Sequence, residues 1–429
     1  MGPLTQRWCP NPRGSESHGR VPFPAPGGWL APQLLAGWAA LHLCGLPVAA
    51  TAAPVYQMRV LADGLQNPRG LTLAGNRLLV SEAGSGGPRQ SQGGNCILSG
   101  SGAEICSGTT GAIGVWDLTA RTYTRVLTGL PSLAKADGSE GTGIADLAVG
   151  GPTGLLGVFG LGGDPGQPNV ANLGSDLFGQ VVSINLSTGA IQPRSNLAAY
   201  EKAYNPDGRT YNSNPYALEL FADRLYATDA GGNSLLTLDP TPAGDGSFAI
   251  LGRFVFPPLS LPPLPFQPEP VPTGLAVDPA SHQLLIAQLA GYPFVPGSAS
   301  VHSSDGQGDP SLSLSGFSSI TDIAAAADGS LYVLQYASDF FDPAGNGSVW
   351  RVAPDGSRES VLGGLTQPTG LAVAPDGSLY VTNNSDSLQG ELLEFKPVVP
   401  GPFPLLGLAS AWCQARRLRR RRPAARKPH

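Results

Sequence analysis

The 429-residue sequence predicts an all-β fold: a six-bladed β-propeller of four-stranded blades, closed by an N-terminal strand that completes the last blade. Three observations predict it. A phrase of roughly twenty residues occurs six times, and such recurrence marks a repeat architecture. Within each copy two apolar runs flank a tight turn, the pattern of a β-hairpin, and further alternating runs follow. Composition agrees, because 58 Gly and 42 Pro suit many turns, and the 41% hydrophobic fraction is enough for a core. Charged residues, at 13%, make up about half the usual share.

The six copies begin at Gly64, Gly141, Asn212, Val271, Gly316 and Gly364, the last being the clearest: GLTQPTGLAVAPDGSLYVTNN. Third strands are expected at GAIGVWDL, GQVVSINL, NSLLTLD, GSVWRVA and GELLEF, and fourth strands at TYTRVL, SFAILGRF and SRESVL. Four short strands per radially arranged repeat make a propeller blade, and little of the body has a helical period. The last repeat lacks a fourth strand. The segment YQMRVLADGL, residues 56–65, reads like SRESVLGGL and YTRVLTGL, so it is expected to supply that strand and leave no unpaired edge.

Three segments are expected: a leader at 1–53, the propeller at 54–397 and a tail at 398–429. The leader contains the apolar stretch WLAPQLLAGWAALHLCGL and then PVAATAAP, whose Ala50, Ala52 and Ala53 suit signal-peptidase cleavage near Ala53. The tail runs from VVPGP through a short apolar segment to the arginine cluster between Arg416 and Arg422. This order resembles the PEP-CTERM sorting signals of bacteria, of the VPGP type, which implies an exosortase as processing partner and transient membrane association through the termini. Location at the periplasm, cell surface or extracellular matrix follows as an expectation. Cys9, Cys44 and Cys413 fall in the end segments, leaving Cys96 and Cys106 in the body, where an oxidising compartment favours a disulfide over an incomplete zinc set.

The formal net charge is −5, but the tail carries about +8 and the leader about +2, which leaves a body near −15. Nucleic acid is therefore not the expected partner, since phosphate contacts need clustered Lys and Arg. In a propeller, the loops entering each inner strand share one face with those joining its second and third strands. Here the latter are long, at residues 83–111, 160–179, 290–299 and 337–347, so this face is the expected binding surface.

At its mouth the candidates are Arg69, Asp146, Asn214, Thr273, Asp322 and Thr369 at the starts of inner strands. At the exits they are Glu82, Asp164, Asp229, Asn233, Asn383 and Asn384. Carboxylates and amides of this kind suit a hard cation such as calcium. Ordinary capping of turns and strand ends by Asp and Asn is the competing reading. His282 and His302 are the only body histidines, which weighs against a histidine general base and against quinoprotein dehydrogenase chemistry.

With the repeats laid out, the chain resembles the ScyD/ScyE family, exported proteins associated with gene clusters for scytonemin, the cyanobacterial sunscreen pigment. The resemblance rests on GLQNPRGL at Gly64, the Cys96 and Cys106 loop before TGAI, GLGGDP at Gly160 and NLAAYEKAYNPDG at Asn196. It extends through NSNPYAL at Asn212, DAGGNSLL at Asp229 and AGYPFVPGSA at Ala290. Where related sequences usually have His-Asp at the second blade's first strand, this one has Ala145-Asp146. The resemblance implies a six-bladed NHL-like propeller outside the cytoplasm, linked to the biosynthesis or handling of such a pigment. The leading expectation is a binding or assembly module that engages a small molecule, a glycan or an envelope protein. The alternative is a metal-dependent enzyme, a lactonase-like hydrolase or an oxidative-coupling factor, working at an acidic mouth formed by Glu82, Asp146 and Asp229. A quinoprotein sugar dehydrogenase ranks third.

Overall fold

The computed structural model describes residues 55–150 and 154–398. The expected leader and, apart from Val398 at the end of the last strand, the expected sorting tail lie outside the described residues, with Cys9, Cys44 and Cys413. The body is a six-bladed propeller of antiparallel blades, as the repeats predict. Strand β1 (Val55–Leu65) opens the chain. Blade 1 holds β2 (Pro68–Ala74), β3 (Arg77–Glu82), β4 (Cys96–Leu98), β5 (Glu104–Asp117) and β6 (Thr122–Ala134). Blade 2 holds β7 (Ile144–Val149), β8 (Leu155–Phe159), β9 (Gln180–Asn185) and β10 (Ala190–Asn196). Helix α1 (Leu197–Tyr204) then precedes blade 3, which comprises β11 (Pro215–Phe221), β12 (Arg224–Asp229), β13 (Ser234–Leu238) and β14 (Ile250–Val255). Blade 4 is β15 (Pro272–Asp278), β16 (Gln283–Gln288), β17 (Ala299–Ser304) and β18 (Ser311–Phe317). Blade 5 is β19 (Ile320–Ala325), β20 (Leu331–Gln335), β21 (Gly347–Val352) and β22 (Arg358–Leu365). Blade 6 comprises β23 (Gly370–Val373), β24 (Leu379–Asn383) and β25 (Gly390–Val398), with β1 as its outer strand.

The closure is the predicted one. Strand β1 runs antiparallel to β25, pairing Tyr56 with Pro397, Met58 with Phe395 and Leu65 with Gly390. Leu65 is fully buried and joins Leu71, Leu78, Val80, Tyr380 and Leu392 in a cluster spanning blades 6 and 1, so the first strand seals the ring by packing as well as by pairing. Similar clusters fill the wedges between other neighbouring blades.

Two elements depart from a plain four-stranded repeat. The long loop of blade 1 folds a short extra strand, β4, onto β5, and Cys96 faces Cys106 across that pair in a disulfide. The segment NLAAYEKAY forms α1, a short helix in a body with little helical period. Asn196 caps it by accepting from the Ala199 N–H, and Asn205 ends it in the left-handed region at φ 40°.

Inner strands align position by position. Pro68, Ile144, Pro215, Pro272, Ile320 and Pro368 stand first; Arg69, Ala145, Tyr216, Thr273, Thr321 and Thr369 second; Gly70, Asp146, Ala217, Gly274, Asp322 and Gly370 third. In blades 4, 5 and 6 the second-position threonine bridges to the next blade: Thr273 Oγ1 donates to the Ile320 carbonyl at 2.9 Å, Thr321 to Pro368 at 2.9 Å and Thr369 to Pro68 at 2.8 Å. In blades 1, 2 and 3 the same position carries Arg69, Ala145 and Tyr216, all of which line a cavity at the mouth.

Candidate functional site

Arg69, Ala145 and Tyr216 line one side of a cavity of about 690 Å³ on the loop-rich face. Loops entering inner strands and loops joining second to third strands contribute together to its walls, so the two classes share a face as the topology requires. Glu140, Asn212 and Asn214 add polar groups on the blade 2 and 3 side. The opposite wall is aromatic. Tyr292 and Phe294 come from the blade 4 loop and Phe340 from the blade 5 loop.

These rings are part of a continuous array. Phe294 stacks on Phe340 with centroids 3.7 Å apart, Phe340 stacks on Tyr336 at 5.2 Å, and Tyr292 lies parallel to Phe266 at 6.1 Å. Tyr292 is 66% exposed and Phe341 68%. Large exposed rings gathered beside a concave surface are unusual on a monomeric protein and mark an interaction surface.

The sequence candidates divide into three groups. Only Arg69 and Asn214 line the cavity, and Arg69 is already committed to its neighbours. Its guanidinium donates to the Gly141 and Ser385 carbonyls and lies 3.8 Å from Asp386, tying blade 1 to blades 2 and 6.

A second group clamps the blades internally. Glu82 is 0% exposed and receives the Arg125 guanidinium at 2.7 Å, the Tyr123 hydroxyl at 2.8 Å and the Gln66 N–H at 2.8 Å, so it is not a mouth residue. Burial and the Glu82 carboxylate push the Tyr123 hydroxyl pKa up. Asp229, 1% exposed, accepts from Ser213 Oγ and from the Asn214 and Gly232 N–H groups. Asn383 accepts from Thr366 N–H, and Gln335, which the sequence reading did not single out, accepts from Ser318 N–H. Each of these side chains ends a second strand and fixes the loop entering the inner strand of its own blade. Asn233 and Asn384 hold left-handed turns at φ 52° and 53°, and Asp164 accepts from Gly166 N–H in a local turn. Asn233 also reaches beyond its turn, accepting from Val271 N–H and donating to Asp207. Thr273 and Thr369 are the inter-blade staples described above.

Asp146 and Asp322 form the third group. They lie lower, in a channel cavity of about 330 Å³ that also contains Glu219. They come from blades 2 and 5, on opposite sides of the ring, and each bridges to the next blade: Asp146 accepts from Leu218 N–H at 2.9 Å and Asp322 from Leu371 N–H at 2.8 Å. Burial raises the pKa of Asp146 to about 7 against the pull of its two backbone donors. Glu219 rises to about 7 through burial and the nearby Asp146, and Asp322 is raised well above its usual value by burial first and Asp146 second.

Sequence reasoning missed Tyr216, Glu140, Asn212 and the aromatic wall. The available signals were the AGYPFVPGSA segment and the Phe340–Phe341 pair in a long loop. Among the described residues, the group of three possible metal ligands lying within 4.8 Å of one another is Cys96, Glu104 and Cys106, and its two sulfurs are consumed by the disulfide.

No protein-family model and no curated protein matches the chain. Solved structures resemble it at low identity. A protein of unknown function from Bacteroides thetaiotaomicron is 10% identical, with a TM-score of 0.48 over 80% of this chain and 76% of its own. A putative gluconolactonase is 14% identical, with a TM-score of 0.43 over 80% and 92%. The PQQ-bound aldose sugar dehydrogenase of Streptomyces coelicolor is 16% identical, with a TM-score of 0.43 over 80% and 100%. These likenesses concern the propeller fold alone.

Proposed function

We propose that this chain is an exported binding propeller of the cell envelope, similar to the ScyD/ScyE proteins, whose loop-rich face takes a ring-bearing small molecule or glycan unit. The observation that carries the reading is the cavity of about 690 Å³, lined by the rings of Tyr292, Phe294 and Phe340 together with Glu140, Asn212 and Asn214. Aromatic faces pack against flat apolar faces of ring compounds, while a few convergent polar groups fix orientation. The size falls within the range of small-ligand pockets, about 300–1,000 Å³. The leader and the PEP-CTERM-like tail are the addresses in this proposal, with an exosortase acting on the latter. The disulfide joining Cys96 to Cys106 suits a compartment outside the cytoplasm.

The test is a thermal-shift and titration screen of oligosaccharides and indole-phenol ring compounds against the purified protein. A saturable ligand should lose about tenfold or more in affinity in a Tyr292→Ala, Phe340→Ala double variant, since each lost stacking contact is worth roughly 0.5–1.5 kcal/mol. A ligand whose affinity is indifferent to both rings rules the aromatic wall out as its site.

One observation favours a second reading, a hydrolase: Asp146 and Glu219 are both raised to about 7, where a carboxyl can exchange a proton at neutral pH. Lactone hydrolysis that survives Asp146→Asn and Glu219→Gln would remove the channel from consideration.

A further inference from the structure

Behind Asn212 in the cavity wall, helix α1 and the segment after it carry buried side-chain oxygens without donors, and of these residues Asn212 alone also lines the cavity. Glu201, on α1, is 2% exposed, and its Oε1 has no hydrogen-bond donor. The buried Oδ1 atoms of Asn205 and Asn212, in the segment that follows α1, are also without donors. All three orphans are acceptors, and a buried acceptor left unpaired costs roughly 1–3 kcal/mol.

The Asn212 backbone N–H favours the Glu201 carboxylate, but the charges around it are negative. Asp229, Asp207 and Asp164 all act on Glu201 through their charge. Asp229 is saturated by its own donors, and Asp207 accepts from Asn233 Nδ2 at 2.8 Å and from Arg209 N–H at 2.9 Å. A Cβ at Gly232 would lie 3.0 Å from Glu201 Oε2 and 3.3 Å from Asp229 Oδ2, so the two carboxylates close on one glycine. Among the described residues, no Lys or Arg side chain forms an ion pair with Glu201, Asp229, Asp207 or Asp164; Arg209, on the same loop, turns to Glu269 at 3.7 Å. A buried carboxylate without a compensating cation is strongly unfavourable.

We propose that Glu201, Asn205 and Asn212 form a site for one hard divalent cation, calcium by the chemistry of its oxygens, with Asp229 and Asp207 supplying the field. Carboxylate and amide oxygens without nitrogen or sulfur are the ligand set calcium takes, and its flexible geometry suits ligands from a helix and the loop after it. Such an ion would pin α1 and the segment 205–213 to the Gly231–Gly232 turn, and so set the position of Asn212 in the cavity wall.

Isothermal titration of the full chain with calcium chloride after chelator treatment, paired with thermal melts, tests this. The expected result is one ion per chain and a melting temperature raised by about 3–6 °C at saturating calcium. Glu201→Gln should weaken calcium binding at least tenfold and melt above the wild type in chelator, since it removes a buried charge. Asn212→Ala, which keeps Glu201, gives a second measure if that variant fails to fold, and should weaken binding several-fold. Asp146→Asn should leave binding unchanged. Absence of heat and of any calcium-dependent shift in the wild type overturns the proposal and leaves Glu201 as a protonated carboxyl. Loss of binding in Asp146→Asn with retention in Glu201→Gln overturns it in favour of the channel.

Discussion

Gly70 and Gly274 are required where they stand by the aspartates that face them from the next blade. A Cβ at Gly70 would come 2.3 Å from Asp146 Oδ1 and 2.8 Å from the Ala145 carbonyl, and one at Gly274 would come 2.5 Å from Asp322 Oδ1. The obstruction includes backbone, so the wedge between blades would have to open. Gly70→Ala is expected to destabilise the protein by about 1–3 kcal/mol, read as a lower midpoint in denaturant unfolding. The same aspartates make stability depend on pH. An acid whose pKa is higher in the folded state holds its proton more tightly there, so this penalty is absent below about pH 4 and grows as pH rises through about 7. Wild type should therefore lose stability between pH 5 and pH 8. Asp146→Asn, whose amide oxygen can still accept from Leu218 N–H, should flatten that slope and be more stable at pH 8 by the order of 1–3 kcal/mol. Equal pH slopes for the two proteins would show that Asp146 stays ionised throughout.

At the scale of the element, what was legible in the sequence followed from local rules. Hairpins announced by APDGS and AADGS formed where period-two runs flanked the turns, because turn chemistry and alternation act over a few residues. The destination of the strand-end side chains was not legible. Glu82 and Asp229 read as mouth ligands because they end second strands, yet Arg125, Tyr123, Ser213 and backbone N–H groups of the preceding loops absorb them. Those partners lie between 15 and 43 residues away, beyond any local pattern. Helix α1 was obscured by its length, since eight residues carry little periodicity and its support is an Asn196 cap with buried Leu197, Ala198 and Glu201. The β4 arm is anchored on the channel side by a bridge from Ser99 to Gly163, and Gln167 bonds both backbone groups of Leu98 at 2.8 Å. Its disulfide closes a short loop, so replacing Cys96 and Cys106 by serine should cost about 2–3 kcal/mol. The loss should appear in urea melts, with proteolysis beginning between residues 84 and 110. A melt unchanged by both substitutions would mean that the arm is held by Gln167 and the Ile97–Ile105 packing alone.

For the molecule as a whole, the six repeats and the missing strand fixed the ring, because closure is a counting argument: a blade short of one strand at one end and a strand without a blade at the other have one solution. The cavity followed less directly. Loops of blades 1 to 5 line it together, and at the second position of the inner strands Arg69, Ala145 and Tyr216 reach it while the threonines of blades 4, 5 and 6 are taken up in bridges to the blades that follow. The closure itself can be tested in two pieces. A chain lacking residues 1–65 loses β1, exposes the full edge of β25 from Gly390 to Val398, and uncovers the cluster into which Leu65 packs. An open, apolar-backed edge strand pairs with other chains, so this protein should aggregate or melt at least 10 °C lower. A synthetic peptide of residues 55–65 added during refolding should rescue it, because main-chain pairing with β25 and burial of Leu65 reproduce the native closure. The same peptide with Leu65→Asp should fail, as it would place a charge in a fully buried site. If the truncated chain is instead monomeric and melts like the intact protein, the blade contacts alone hold the ring, and β1 covers an edge without locking it.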